Sequence, residues 1–278
     1  MINYTDSFFD LKLLKINDIL LHEDTETKRL RNIYSRIKRD KYLINPIIVA
    51  QYNNELILID GANRYSSLKD IGCKLVLAQI IDYKDVHTKL SKWNHLVYDM
   101  DDNVIKEYCD ENGIKYEITS VKNGKKILHN NLNRLLVSDI NKNETMVITL
   151  AKDFNKMIDQ MNGLTHLYFH KYSFDRSEPE IDFAELKKYT RRKGTLIEFP
   201  KFKKEHIVKI AKSDRKIPAG ITRHLLRNRV LHVRYEIKKL LTQGNIKKKT
   251  QELEKMLLEK IDKNKVRQYT ESVIVFDE

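Results

Sequence analysis

Four apolar residues, Leu56-Ile57-Leu58-Ile59, run unbroken to Asp60-Gly61, and Ala62 to Asp70 follows with the character of a helix. This reads as a buried strand ended by a turn pair. Around it the pattern predicts a strand at Leu11–Ile16 and an amphipathic helix at Thr25–Lys41, with Leu30, Ile33 and Ile37 on one face. Pro46–Gln51 and Glu55–Asp60 form a predicted hairpin about the turn Tyr52-Asn53-Asn54, Gly72 caps the following helix, and Lys74–Tyr83 returns as a strand. This β-α-β-β-α-β unit of about 80 residues is large enough for a compact module. Further on, helices are expected at Val104–Asn112, Lys152–Met161, Lys204–Lys212 and Ile246–Asp262, the last with Leu253, Leu257 and Ile261 at four-residue spacing. Strands are expected at Met146–Leu150, His166–Tyr172, Thr195–Phe199, Val230–Tyr235 and Val273–Phe276. The class is α/β with a mixed sheet. With no internal repeat and no low-complexity linker, the two halves are expected to pack tightly.

Composition changes this picture little. The chain has 278 residues, enough for one large or two modest domains, and its 41% hydrophobic and 33% charged content suits a globular, water-facing protein. No run approaches the roughly 18 apolar residues of a membrane helix. The start, MINYTDSFFD, lacks a basic region followed by an apolar one, so no secretory signal is expected. Cys73 and Cys109 are too few for a disulfide framework, and a cytoplasmic location is expected. The net charge of +13 permits nucleic acid, an anionic membrane surface or an anionic small ligand. Its basic residues are spread over Lys28–Lys41, Arg191–Lys193, Lys201–Lys204 and Lys247–Lys249, without the interleaved aromatics of a single-strand binding platform.

The chemistry concentrates at Asp60. A carboxylate at a strand's C-terminal end, just before a helix N-terminus, lies beside backbone N–H groups that favour anions. Arg64 adds a guanidinium suited to phosphate oxygens. The segment could hold a phosphate together with a carboxylate carrying Mg²⁺ or a proton; alternatively Asp60 only caps the helix. With eight glycines, the chain contains neither G-x-x-x-x-G-K-[ST] nor G-x-G-x-x-G, which excludes a Walker loop, the Rossmann fingerprint and the protein-kinase glycine loop. C-x-x-C and H-E-x-x-H are absent too. His166 and His170, assigned to a strand, do not converge on a metal there.

Residues 11–83 resemble the ParB/sulfiredoxin-type domain, and specifically the free-serine kinases built on it. The resemblance is carried by Leu21-His22-Glu23, Asn45-Pro46-Ile47-Ile48-Val49, Ile59-Asp60-Gly61-x-x-Arg64 and Leu68-x-x-x-Gly72. It continues in Trp93 and in Pro218-Ala219-Gly220-Ile221-Thr222-Arg223-His224. It implies an N-terminal ParB/sulfiredoxin-like domain over 1–90 that binds nucleotide, packed on an α/β domain over 91–278 that completes a serine site. The implied reaction moves a phosphoryl group from ATP or ADP, with Mg²⁺, to the hydroxyl of L-serine. O-phospho-L-serine would then feed cysteine or 2,3-diaminopropionate synthesis, the latter in siderophore pathways.

By the same resemblance Glu23 is the proton acceptor, while Asp60 is the second acidic residue and shapes the Mg²⁺–phosphate geometry. Gly61, Ala62, Asn63 and Arg64 hold the nucleotide, Thr222, Arg223 and His224 hold the amino acid, and Trp93 walls its pocket. Each residue also has a plainer role open to it. Glu23 could serve the dipole of the Thr25 helix, Arg64 an ordinary ion pair, Trp93 the core, and Thr222-Arg223-His224 a loop. Asn63 stands where relatives commonly carry His before the arginine, which leaves the nucleotide preference open; Lys38 or Lys41 could meet a terminal phosphate instead. The alternative function is a ParB-like DNA-binding regulator, supported by the +13 charge but lacking a clear helix-turn-helix after the module.

Overall fold

A computed structural model describes residues 10–268 apart from 130 and 191. Its first half runs β1 (Leu11–Lys15), β2 (Ile19–Leu21), α1 (Thr27–Asp40), β3 (Tyr42–Leu43), β4 (Ile47–Tyr52), β5 (Glu55–Asp60), α2 (Ala62–Asp70) and β6 (Leu75–Asp82). The second half continues with β7 (Lys89–Lys92), β8 (Asn94–Tyr98), α3 (Asn103–Glu111), β9 (Lys115–Ser120), α4 (Val121–His129), β10 (Arg134–Asp139) and β11 (Glu144–Thr149). There follow α5 (Phe154–Phe169), β12 (Phe174–Ser177), α6 (Phe183–Tyr189), β13 (Gly194–Glu198), α7 (Lys204–Ala211), β14 (Thr222–Leu225), β15 (Tyr235–Glu236) and α8 (Ile246–Asp262).

Two sheets organise these elements. The first is mixed, in the order β1-β6-β4-β5-β2, and the second is antiparallel, in the order β12-β8-β13-β10-β11-β9. The predicted hairpin forms with Tyr52 opposite Glu55, and Asn53 takes the left-handed conformation that asparagine tolerates. One apolar core joins the halves: Ile48, Ile57, Ile59 and Tyr83 from the first pack with Val97, Phe199, Ile217 and Ile221 from the second. Two small ribbons then stitch the chain across itself. β14 pairs with β7, and β15 pairs with β3. Val233, Tyr235, Leu240 and Leu253 return to the core of the first sheet, where Lys74 and Leu75 N–H groups donate to the Leu240 carbonyl at 2.8 and 3.1 Å.

Two sequence expectations need correction. His166–Tyr172 is not a strand, because α5 continues to Phe169. The buried residues Met157, Ile158, Met161, Leu164, Thr165 and Tyr168 recur at helical spacing across Gly163, and this continuous face overrides the strand propensity of the aromatics. His166 and His170 are therefore one helical turn apart with rings stacked 6.5 Å between centroids. The expected Val230–Tyr235 strand is reduced to Tyr235–Glu236, since only that pair finds a partner strand. Val273–Phe276 lies outside the described residues.

Candidate active site

The C-terminal end of β5, the turn after β2 and the segment before β14 meet around a cleft of about 680 Å³. That size is ordinary for a small-molecule site. Every site residue implied by the resemblance lines it: Glu23, Asp60, Gly61, Ala62, Asn63, Arg64, Trp93, Thr222, Arg223 and His224. Lys38 and Lys41 do not. α1 contributes Arg29 and Ile33 to the cleft, and Lys38 lies nine residues beyond Arg29, about 13 Å along the helix.

Glu23 is anchored across almost 200 residues of sequence. The Asp24 N–H donates to the Ile217 carbonyl at 3.0 Å and the Ile217 N–H to the His22 carbonyl at 2.9 Å, so the two segments run side by side. The Glu23 carboxylate then accepts the Thr222 N–H at 2.8 Å and the Gly220 N–H at 3.2 Å, and also the Thr222 hydroxyl. Gly220 has φ +72°, and a Cβ there would lie 2.1 Å from Arg176 Nε, so only glycine fits between the two.

Asp60 sits at the β5–α2 corner. Arg64 and Arg229 donate to the same oxygen, Oδ2, at 3.1 and 2.6 Å. Burial would push this carboxyl up, but the two guanidiniums outweigh it and hold the group below its ordinary range. Gly61, at φ +99°, caps α2 and lets Arg64 fold over the backbone, where a Cβ would lie 2.8 Å from Nη2. Asn63 Oδ1 accepts the Glu26 N–H at 3.2 Å, which ties the entry of α1 to that of α2. Among the described residues no group of three or more His, Cys, Asp or Glu side chains could hold a metal by itself. A single carboxylate with its Oδ1 outside the two arginine bonds does fit Mg²⁺, which is commonly held by one or two carboxylates plus phosphate oxygens.

Trp93 and Arg223 form one unit, the guanidinium lying 4.2 Å over the indole ring and pairing with Glu178. His224 is buried; burial holds its pKa near 3, and its Nε2 meets the Tyr83 hydroxyl at 2.9 Å. Three cleft cations escaped the sequence reading, Arg29 on α1, Arg176 and Arg229. Arg176 on β12 pairs with Glu26 at 2.9 Å, and Arg229 reaches back to Asp60 from beyond β14. Neither belongs to a motif, and β12 has no local strand signal.

No family model matches the chain. It is similar to the ATP-dependent L-serine kinase SbnI of Staphylococcus aureus, with 40% identity over 88 residues, which is 31% of this chain and 34% of that protein. The alignment to the ATP-dependent L-serine kinase of Staphylothermus marinus is longer, at 26% identity over 227 residues, 77% of this chain and 84% of that protein. In three dimensions, C-terminally truncated SbnI superposes with a TM-score of 0.71 at 20% identity, over 91% of this chain and 97% of that one. A free serine kinase in complex with AMP superposes with a TM-score of 0.68 at 16% identity, over 84% and 94% of the two chains. The chain is thus similar in sequence to ATP-dependent L-serine kinases and shares the fold of SbnI and of the free serine kinase.

Proposed function

We propose that this protein phosphorylates free L-serine, transferring the terminal phosphoryl group of ATP to the hydroxyl and releasing O-phospho-L-serine and ADP. The observation that carries this is the convergence of Glu23 and the Asp60–Gly61–Arg64 corner on one cleft, although they come from separate elements. Phosphoryl transfer asks little of a protein beyond positioning, charge neutralisation and one proton acceptor.

Glu23 takes the proton of the serine hydroxyl as the oxygen attacks phosphorus. Two backbone N–H groups fix its carboxylate, which keeps the acceptor in place. Arg64, Arg229 and the N-terminus of α2, with Ala62 and Asn63 in its first turn, receive the phosphates. Mg²⁺, held by Asp60, neutralises phosphate charge when bound. Trp93, Thr222, Arg223 and His224 surround the amino acid, and the Arg223 guanidinium suits its carboxylate. Residues 1–90 supply most of the nucleotide side together with Glu23, and 91–278 supply the serine side and add Arg229 to the phosphates. The product would serve 2,3-diaminopropionate and siderophore synthesis, or cysteine synthesis, in the cytoplasm.

No helix among the described residues is long and apolar enough to cross a membrane. The DNA-binding alternative still rests on net charge alone. The deciding experiment incubates purified protein with Mg²⁺ and L-serine, with ATP and ADP in separate tubes, and reads phosphorus NMR. O-phosphoserine is expected with ATP. Its absence from both tubes, with folded protein and millimolar serine, overturns the proposal.

A further inference from the structure

In the wall of the cleft beside Glu23, four groups stand in line. Thr222 Oγ1 contacts Glu23 Oε1, His22 Nε2 lies 3.0 Å from Thr222 Oγ1, and His22 Nδ1 lies 2.9 Å from the Leu58 carbonyl oxygen. His22 is 3% exposed. Three contacts need three protons. The carbonyl brings none, a neutral imidazole one, the hydroxyl one and an ionised carboxylate none. With Glu23 ionised the line is one proton short, and one contact must set two lone pairs against each other. Making His22 cationic would fill the gap, but burial lowers its pKa and keeps the ring neutral. The missing proton is therefore the one that Glu23 acquires.

We propose that His22, acting through Thr222, is a positioning residue that stabilises Glu23 in the protonated form it reaches during phosphoryl transfer. This rests on the serine-kinase reading. The serine O–H bond breaks as the serine oxygen bonds to the terminal phosphorus, and the bond from that phosphorus to the leaving ADP oxygen breaks. The proton ends on Glu23 Oε1 and turns toward Thr222 Oγ1. The Thr222 hydroxyl then donates to His22 Nε2, and His22 Nδ1–H donates to the Leu58 carbonyl. All three contacts are satisfied, no buried charge is created, and the proton leaves to water with the product. The other groups around His22 are uncharged or more remote. The His224 ring meets it edge-on at 5.8 Å and is neutral, with the Tyr83 hydroxyl behind it, while Asp60 and Arg229 act on His224.

The first test needs no turnover. Nitrogen-15 NMR of the imidazoles in the whole protein should show His22 as the Nδ1–H tautomer with a bare Nε2. An Nε2–H tautomer reverses the line and overturns the proposal, whether or not the protein phosphorylates serine. The second test is kinetic. Breaking the line should slow the chemical step without loosening the substrates. His22→Asn should lower kcat by at least about tenfold with both KM values within about twofold. Thr222→Val should lower kcat at least as far, and Thr222→Ser should restore it. A folded His22→Asn whose kcat stays within about twofold of the wild type overturns the proposal. A wild-type protein inert toward serine fails the kinase reading instead.

Discussion

Two guanidiniums on one carboxylate oxygen decide what Asp60 can do. Arg64 and Arg229 keep it ionised and aim it into the cleft, yet both can turn to an incoming phosphate. Arg229→Ala should weaken nucleotide binding by about 1.5 kcal/mol or more, the scale of a hydrogen bond to a charged group; calorimetry would read this. The pH sign follows from the depressed carboxyl. Ionised Asp60 stabilises the fold above the ordinary carboxylate value, and this contribution is lost as pH falls through the lower, folded value. In Arg229→Ala the folded value rises, so acid unfolding should begin at higher pH than in the wild type, as tracked by circular dichroism. Glu23→Gln should abolish phosphoserine formation while nucleotide still binds. Normal turnover in that variant would remove Glu23 from the chemistry.

At the scale of elements, the β5–Gly61–α2 corner is the part most readable in advance. The apolar run, the Asp-Gly break and the helix after it appear where the pattern puts them. Gly61→Ala should cost about 1–2 kcal/mol from the left-handed backbone alone. It should also push Arg64 off its seat, lowering both Tm and nucleotide affinity. α5 shows why the same local reasoning failed elsewhere: the aromatics near its C-terminus favour a strand in isolation, but burial against the core follows helical spacing through Tyr168. β12 was missed for the opposite reason, since Phe174–Ser177 has no pattern of its own and becomes a strand by pairing with β8.

For the whole molecule, the notable fact is the return of the chain. Val233, Tyr235, Leu240 and Leu253 fill the core of the first sheet, and the Glu23 carboxylate takes its hydrogen bonds from Gly220 and Thr222. Residues 1–90 expressed alone should therefore fail to unfold cooperatively, because that core lacks its last wall; a broad thermal transition would check this. The charge of +13 gives a further test at this scale. Serine turnover should depend only mildly on ionic strength, whereas a DNA-binding role would weaken steeply with salt in a filter-binding titration.

The sequence alone settled what depends on neighbours in the chain: the mixed α/β class, the hairpin, the glycine corner and the 246–262 helix. The strand end and helix start also pointed to the Asp60–Gly61–Arg64 corner, while Glu23, Trp93 and Thr222-Arg223-His224 were nominated by the family resemblance. Only the tertiary structure decided what depends on residues far apart. Arg229 on Asp60, Arg176 against Gly220 and the line from Glu23 through Thr222 to His22 are contacts across 44 to 200 positions. No local propensity encodes such contacts. They exist because two sheets share one core and bring their loops to the same opening.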